Sequence, residues 1–455
     1  MDQVLEKLRS ATENSPYKGR LYLVGGIVRD KFLGTPSDED IDLVLEGDAA
    51  ELAHFLRERG IAEHRPVVYA RFGTAMIMVD GRQVELVGAR KESYDKSSRK
   101  PFTQPGTLRD DIRRRDFTIN TLLENLHTGE VLDLTGKGRQ DIADKIIRTP
   151  VDPIVTFADD PLRMLRAVRF SSRFDFKIDD ETYAAIKSCA HRLSIVSEER
   201  IKDEFVKILI NPGAVCGLEM LRETGLLVEF APELAAMHGI TQNIYHIYDV
   251  WTHTLKTLES ISAESGIILR LAALMHDSGK VETKTVDPDG SVHFYNHQLV
   301  SAEIARKIMR RLKFSNSQIS DVEFIILMHL RVGEYDRQWS DAAVRRLIRE
   351  AEHHLNDLIL LTEADKAAAN TQMPSVNIEA FRKHVARVRA NLAGQRITSP
   401  LDGREIIELL GIEPGPNVGA VKAYLEQEIV EGNLLPGDKA NARKSAMSKF
   451  GTQLE

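Results

Sequence analysis

Apolar and polar residues follow two different rhythms along this chain. Between residues 21 and 88, the short apolar runs LYLV, IDLVLEG, VVYA, AMIMVD and QVELVG are separated by glycines and polar turns, which predicts strands. Gly25-Gly26 divides the first run from the helical stretch IVRDKFLG, so residues 21–45 predict strand, tight turn, helix and strand. Gly73 and Asp80-Gly81 break the later runs. Residues 91–111, KESYDKSSRKPFTQPGTLRDD, follow neither rhythm and predict a long mobile loop. From about residue 150 the apolar spacing becomes i, i+3, i+4, as in DPLRMLRAVRFSSRF, IKDEFVKILI, LRLAALMHD and SAEIARKIMRRL, so the remainder predicts amphipathic helices.

At 455 residues the chain is too long for one core, and about three domains or more are expected. Pro- and Gly-marked breaks near 140–155, 211–216, 371–376 and 392–403 suggest where they divide. The net charge of −7, from 68 acidic and 61 Lys and Arg residues, argues against a generally basic nucleic-acid binder and makes any phosphate-binding surface local. Residues 90–115 are such a locality, with nine basic side chains against four acidic ones. Cys189 and Cys216 lie far apart without a CxxC, which excludes a disulfide framework and a thiolate zinc site and predicts two small buried hydrophobes. The charged N-terminal stretch and the lack of any run of 18 apolar residues predict neither signal peptide nor membrane span, hence a cytoplasmic protein.

Asp40 and Asp42 flank Ile41 at the start of a strand, so both project to one face. Paired carboxylates are unfavourable unless a cation sits between them, and hard Mg²⁺ suits all-oxygen ligands that also hold a triphosphate. Taken alone, the pair is equally well an acidic turn. Upstream, Gly25-Gly26 opens a helix bearing Arg29, and such a turn offers main-chain N–H groups and a helix N-terminus to phosphate. Together the two features suggest a nucleotide-polymerising site.

LVGGIVRDKFLGTPSDEDIDLV resembles the first signature of class II tRNA nucleotidyltransferases and bacterial poly(A) polymerases, members of the DNA polymerase beta-like superfamily. RRRDFTINTLL at 113–123, FADDPLRMLRAVRF at 157–170 and SEERIKDEFVKIL at 197–209 extend the resemblance in the family's order. It implies an α/β nucleotidyltransferase head with a mixed sheet at 1–145. A helical neck at 146–215, a helical body at 216–375 and a helical tail at 376–455 follow, all α. It also implies two Mg²⁺ ions held by Asp40 and Asp42, and CTP and ATP as substrates. Glu85 falls where the family commonly has a third acidic residue, and reads otherwise as a polar position on an alternating strand. Arg115 and its neighbours suit triphosphate oxygens, while Asp116 and Asn120 suit a ribose hydroxyl; the bland alternative is a solvated basic helix end.

In DDPLRMLRAVRF, Pro161 at a first helical position makes Asp160 an N-cap, a complete structural reason for that residue. Asp160 and Arg163 also lie one turn apart, and the resemblance implies that they read the edges of cytosine and adenine. Arg166 and Arg169 continue a basic stripe toward phosphates. The family often has Glu where this chain has Asp159, and Ala where it has Thr121 and Pro161. The implied partner is the tRNA 3′ end with its acceptor and TψC region, gripped in part by PLDGREIIELLGIEPGPNVG and by Lys439, Arg443, Lys444 and Lys449.

His253, His276-Asp277, His297, His329 and Asp365 resemble the HD superfamily of metal-dependent phosphohydrolases. Such a set can hold one or two divalent cations, with Ser278 in place of the usual Ile after His-Asp. It implies a possible phosphohydrolase acting on cyclic or terminal RNA phosphates. CC-only addition, A-only addition and poly(A) synthesis use the same head motifs. A metal phosphohydrolase with an RNA-binding N-terminal domain is the alternative from a different class.

Overall fold

The computed structural model describes residues 2–35, 41–95, 98–370, 372–373, 375–393 and 398–451. Packing divides the chain into two compact units, Met1–Ala236 with Ser262–Ile267 and Lys307–Ser315, and Met237–Ile261 with Ile268–Arg306 and Asn316–Glu455. Among the described residues, no helix is long and apolar enough to cross a membrane.

The first unit begins with helix α1 (Asp2–Thr12). Its strands are β1 (Leu21–Val24), β2 (Ile41–Leu45), β3 (Val67–Tyr69), β4 (Thr74–Val79), β5 (Arg82–Gly88), β6 (Arg90–Asp95), β7 (Ser98–Pro105), β8 (Leu123–Asn125) and β9 (Val131–Leu132). Seven of them form one sheet in the order β3-β4-β5-β2-β1-β8-β9. Only β2 and β5 pair in parallel within it. The central strands β1 and β2 are buried throughout except for Tyr22 and Asp42, which are half-buried. Strands covered on both faces read as unbroken apolar runs, which is why neither alternates. Helix α2 (Gly26–Leu33) leaves β1 through Gly25, and helix α3 (Ala49–Glu58) starts at Asp48, whose carboxylate accepts from the Ala50 and Glu51 amides.

The loop expected at 91–111 is corrected by the structure. β6 and β7 form an antiparallel hairpin, and helix α4 (Leu108–Arg113) follows, capped by a reciprocal Thr107–Asp110 box. The hairpin shows no apolar rhythm because main-chain pairing holds it. Its base is anchored by Gly106 N to Ala89 O at 2.9 Å and by Thr103 Oγ1 to Arg71 O at 2.8 Å.

The remainder of the first unit is helical: α5 (Gly138–Ala143), α6 (Pro153–Asp159), α7 (Leu162–Phe174), α8 (Asp180–Cys189), α9 (Glu198–Leu209) and α10 (Ala214–Glu223) are its main helices. The two-residue strands β10 (Ile146–Ile147) and β11 (Lys177–Ile178) pair in parallel beside them. α7 packs against both α9 and α10. Cys189 is buried as expected, but Cys216 is exposed, on the side of α10 away from buried Ala214, Gly217 and Leu218.

In the second unit, the helices Val250–Glu259 and Asn316–Gly333 both pack on Leu355–Ala368. A short hairpin, β12 (Lys284–Val286) with β13 (Val292–Phe294), interrupts the expected run of helices. The C-terminal helices Gly403–Leu410, Pro416–Glu431 and Lys439–Phe450 close over a small core of Ile406, Val421, Leu425, Ala442 and Ala446. Lys439 and Arg443 both reach Glu405 there.

Gly213 lets α10 start directly against α7, since a Cβ at that position would stand 2.0 Å from the Ser172 carbonyl oxygen. Gly213→Ala is therefore expected to lower unfolding stability by about 1–3 kcal/mol, read as a reduced denaturant midpoint.

Candidate functional site

An open pocket of about 730 Å³ lies in the first unit, lined by Gly25, Gly26, Arg29, Asp42, Glu85, Arg115, Asp116, Asn120, Arg166 and Arg169. Asp42 and Glu85 are register partners on the parallel pair β2 and β5. Neighbouring strands lie about 4.8 Å apart, so two half-buried carboxylates stand side by side on one face. Like charges that close favour a shared cation, and an all-oxygen donor set fits a hard one such as Mg²⁺. Asp40 lies outside the described residues.

Gly25 brings the main chain close to this pair. Its φ of 81° lies in the left-handed region, and a Cβ would meet Asp42 Oδ2 at 3.4 Å and Arg115 Nη1 at 4.0 Å. A side chain there would crowd both the carboxylate and the guanidinium. Arg115 is held in turn by Asp111, a fully buried carboxylate on α4 that accepts from Arg115 Nη2 at 2.9 Å and Arg114 Nε at 2.9 Å. Burial would raise the Asp111 carboxyl, but the two guanidiniums hold it below the usual range.

A chain of buried polar groups forms another side of the pocket. Arg29, 1% exposed, bonds Asp30 at 2.8 Å and donates to Asn120 Oδ1 at 2.9 Å. Asn120 Nδ2 donates to Asp116 Oδ1 at 3.0 Å. Asp116 Oδ2 accepts a fork from Arg166, Nε at 2.8 Å and Nη2 at 2.5 Å. Arg166 and Arg169 share Glu204, with Arg169 Nε at 2.6 Å. Burial opposes ionisation of Asp116, yet the Arg166 charge and the Asn120 and Arg166 hydrogen bonds hold its carboxyl well below the usual range.

Asp160 and Arg163 do not line this pocket. Asp160 caps α7, accepting from Leu162 N at 3.2 Å, and pairs with Arg200 at 2.8 Å. Buried Arg163 donates to the carbonyls of Arg114 at 2.5 Å and Thr156 at 3.4 Å.

Asp111 and Glu204 position pocket arginines, and neither was among the residues expected from sequence. Glu204 does carry a signal, since it falls in the buried stripe Ile201, Phe205, Ile208 of α9, where a charge demands a buried partner. Lys207 and Asn211, on or just beyond the same helix, also line the pocket.

The second unit brings together all six residues expected there. Asp277 belongs to two groups whose ligand atoms lie within 4.8 Å of one another, one with His253, His276 and Asp365, the other with His297 and His329. Each histidine Nδ1 faces a main-chain carbonyl: His253 that of Ala368 at 3.4 Å, His276 that of Ala273 at 2.8 Å, His297 that of Phe294 at 3.0 Å, and His329 that of Ile326 at 2.6 Å. A carbonyl only accepts, so each Nδ1 is the donor and each Nε2 is turned to the cluster. His276 Nε2 is buried, 3.3 Å from Asp277 Oδ2 and 3.6 Å from Asp365 Oδ1, and hydrogen-bonds to neither. An unsatisfied imidazole nitrogen beside two carboxylates fits a divalent cation with mixed nitrogen and oxygen preference. Burial alone would lower His276, but the Asp277 and Asp365 carboxylates push it up to about 10, so a cation bound at Nε2 takes the place of a proton. Burial and the charge of His276 push His329 down to about 3.

Several known proteins are similar to this chain. Residues 21–148 match the poly A polymerase head domain, residues 175–237 a probable RNA and SrmB-binding site of polymerase A, and residues 243–370 the HD domain. The A-adding tRNA nucleotidyltransferase of Deinococcus radiodurans is 33% identical over 350 residues, covering 74% of this chain and 79% of that protein. The CC-adding tRNA nucleotidyltransferase of Thermus thermophilus is 32% identical over 435 residues, covering 92% and 91%. The fold is also similar to that of a Bacillus stearothermophilus CCA-adding enzyme in complex with CTP, with a TM-score of 0.67 at 21% identity over 98% of this chain and 96% of that one. A mixed-sheet head with a carboxylate pocket, followed by helical domains, defines a nucleotidyltransferase. The chain belongs to the tRNA nucleotidyltransferase family.

Asp116→Asn leaves the Arg166 charge with Glu204 alone, at 3.9 Å. Because Arg166 keeps 33% of its side chain in solvent, the expected loss is about 3 kcal/mol, the lower end for breaking a buried pair. The native Asp116 carboxyl is depressed, so its ionisation stabilises the fold above the unfolded value of 3.8 and that contribution is lost as pH falls below it. Thermal melts are expected to drop more steeply between pH 5 and 3 for the wild type than for the variant.

Proposed function

We propose that this protein adds CMP and AMP to tRNA 3′ ends from CTP and ATP, without a nucleic-acid template, in the cytoplasm. The observation that carries this reading is the in-register pair Asp42 and Glu85 facing an arginine-lined pocket beside a Gly-Gly turn. Asp40, Asp42 and Glu85 are the groups that would hold Mg²⁺, which would supply activation of the RNA 3′-hydroxyl and neutralisation of charge on the α-phosphate and leaving pyrophosphate.

The chain's own groups do the positioning. The Gly25-Gly26 turn and the start of α2 offer main-chain N–H groups to phosphate. Arg115, fixed by Asp111, donates to the triphosphate. Asp116 and Asn120 take the ribose hydroxyl, with Asn120 aimed by Arg29. Arg166 and Arg169 hold Asp116 and Glu204 and extend the positive wall toward the RNA backbone. Asp160 and Arg163 select cytosine and adenine by exchanging their present partners, Arg200 and two main-chain carbonyls, for a base edge. The tRNA acceptor and TψC region meets the basic segment at 90–115 and the tail lysines.

The relatives from D. radiodurans and T. thermophilus are A-adding and CC-adding, which favours a second reading, a restricted enzyme. Supplying CTP and ATP separately to tRNAs ending before the first C and after the second C distinguishes them. Two CMP and one AMP are expected. AMP alone on the CC end indicates A-only addition, CMP alone CC-only addition, and long adenylate on any RNA a poly(A) polymerase. Asp42→Ala is expected to abolish every incorporation; retained incorporation overturns the site.

The His–Asp cluster supports a further activity, metal-dependent hydrolysis of cyclic or terminal RNA phosphates. Its groups hold the cation through His Nε2 and carboxylate oxygens, and Lys280 Nζ, 2.7 Å from Asp277 Oδ2, brings a positive charge to the same cavity. Phosphate release from a 2′,3′-cyclic nucleotide with Mn²⁺ or Ni²⁺ is expected in the wild type and absent in Asp277→Asn. No release by the wild type makes the cluster purely structural.

A further inference from the structure

The cavity that holds Asp277, His297, His329 and Asp365 measures about 230 Å³. That is smaller than the roughly 300 Å³ at which pockets begin to enclose whole small molecules. A phosphate with its sugar suits such a space, while a nucleobase attached to that sugar is left at the mouth. Two of the rings that line the cavity stack on each other. His293 lies on β13, Tyr295 in the turn just after it, and Phe294 between them lines the same cavity. The ring centroids of His293 and Tyr295 are 5.2 Å apart and their planes differ by 8°, an offset parallel stack. His293 is fixed from behind by Asp287, Nε2 to Oδ2 at 3.1 Å.

Tyr295 stands open to solvent at the end of the hairpin. The residue is 68% exposed, among the most exposed large apolar side chains of the described chain. Yet it follows a strand whose own residues are only half-exposed. Phe294 sits under the Lys280 ammonium, 5.5 Å from ring centroid to Nζ, which ties the strand to the ion-pair partner of Asp277. His293 is thus carried by β13 and Tyr295 by the short turn that joins β13 to His297 of the cluster.

We propose that His293 and Tyr295 form a stacking platform for the base of a nucleotide whose phosphate enters the His–Asp cavity. The ligand class is a nucleoside 2′,3′-cyclic or terminal phosphate, including the last residue of an RNA strand. Stacking tolerates any base because every base has a π face, so the platform confers preference for nucleotides over base-free phosphates without choosing among bases. This inference rests on the phosphohydrolase reading for its substrate, but its binding half can be measured separately.

The test uses the full-length protein with Mn²⁺ and two cyclic phosphodiesters, 2-aminopurine riboside 2′,3′-cyclic phosphate and base-free glycerol 1,2-cyclic phosphate. In the wild type, fluorescence of the 2-aminopurine is expected to be quenched on binding. Tyr295→Ala is expected to weaken that binding about tenfold, the scale of one base–aromatic stack, with loss of the quench. Tyr295→Phe is expected to keep wild-type affinity and quench, because the ring remains. The KM for glycerol 1,2-cyclic phosphate is expected to be the same in all three proteins. Equal weakening toward both compounds, or no change in 2-aminopurine binding in Tyr295→Ala, overturns the platform. If the wild type hydrolyses neither compound, the phosphohydrolase reading fails, while dependence of the quench on Tyr295 still decides the platform.

Discussion

The carboxylate pocket depends on a rule of burial: a charge removed from water must be matched. Arg29, Asp30, Asn120, Asp116, Arg166, Glu204 and Arg169 satisfy one another in a continuous series. The series joins α2, the turn after α4, α7 and α9, four segments far apart in sequence. No member can be neutralised without stranding its neighbour, so the four segments are specified together. Hydrophobic residues of similar volume often stabilise a core as well as buried ion pairs do. Stability alone therefore does not explain the series, whereas holding Asp116 and Asn120 in a fixed attitude at an open pocket does.

The two units solve different coordination problems. In the first, carboxylates stand in register on parallel strands, and strand spacing sets how close they come. In the second, Asp277 is shared between two groups, one with His253, His276 and Asp365 and the other with His297 and His329. An all-oxygen pair suits a hard cation that also accepts phosphate oxygens, and a nitrogen-rich set suits a borderline one. The two donor sets thus differ in chemistry, oxygen alone in the first and nitrogen with oxygen in the second.

Much of this was legible in the sequence. The Gly-Gly turn and the strands bearing Asp42 and Glu85 follow from short-range pattern, and the six His and Asp positions from the resemblance to the HD superfamily. Cys216 and the 91–111 segment did not, for related reasons. The exposed thiol lies on a helix face that the apolar period does not define, and the β6–β7 hairpin is held by main-chain pairing that leaves no hydrophobic rhythm. Asp111 escaped because a carboxylate three and four residues before two arginines reads as a surface pair, while the fold buries it completely. The present partners of Asp160 and Arg163 were hidden too, since Arg200 and the Arg114 carbonyl are brought to them by tertiary packing.

Three of the four cluster histidines bond the carbonyl three positions earlier in the chain, at Ala273, Phe294 and Ile326. Their orienting partners are therefore backbone atoms that every amino acid possesses. Substitution at those three positions can change packing, but it cannot delete the acceptor. The ring attitudes are inherited from local chain geometry, so the cluster tolerates sequence drift around it in a way that a carboxylate-oriented histidine, whose partner one mutation can remove, does not.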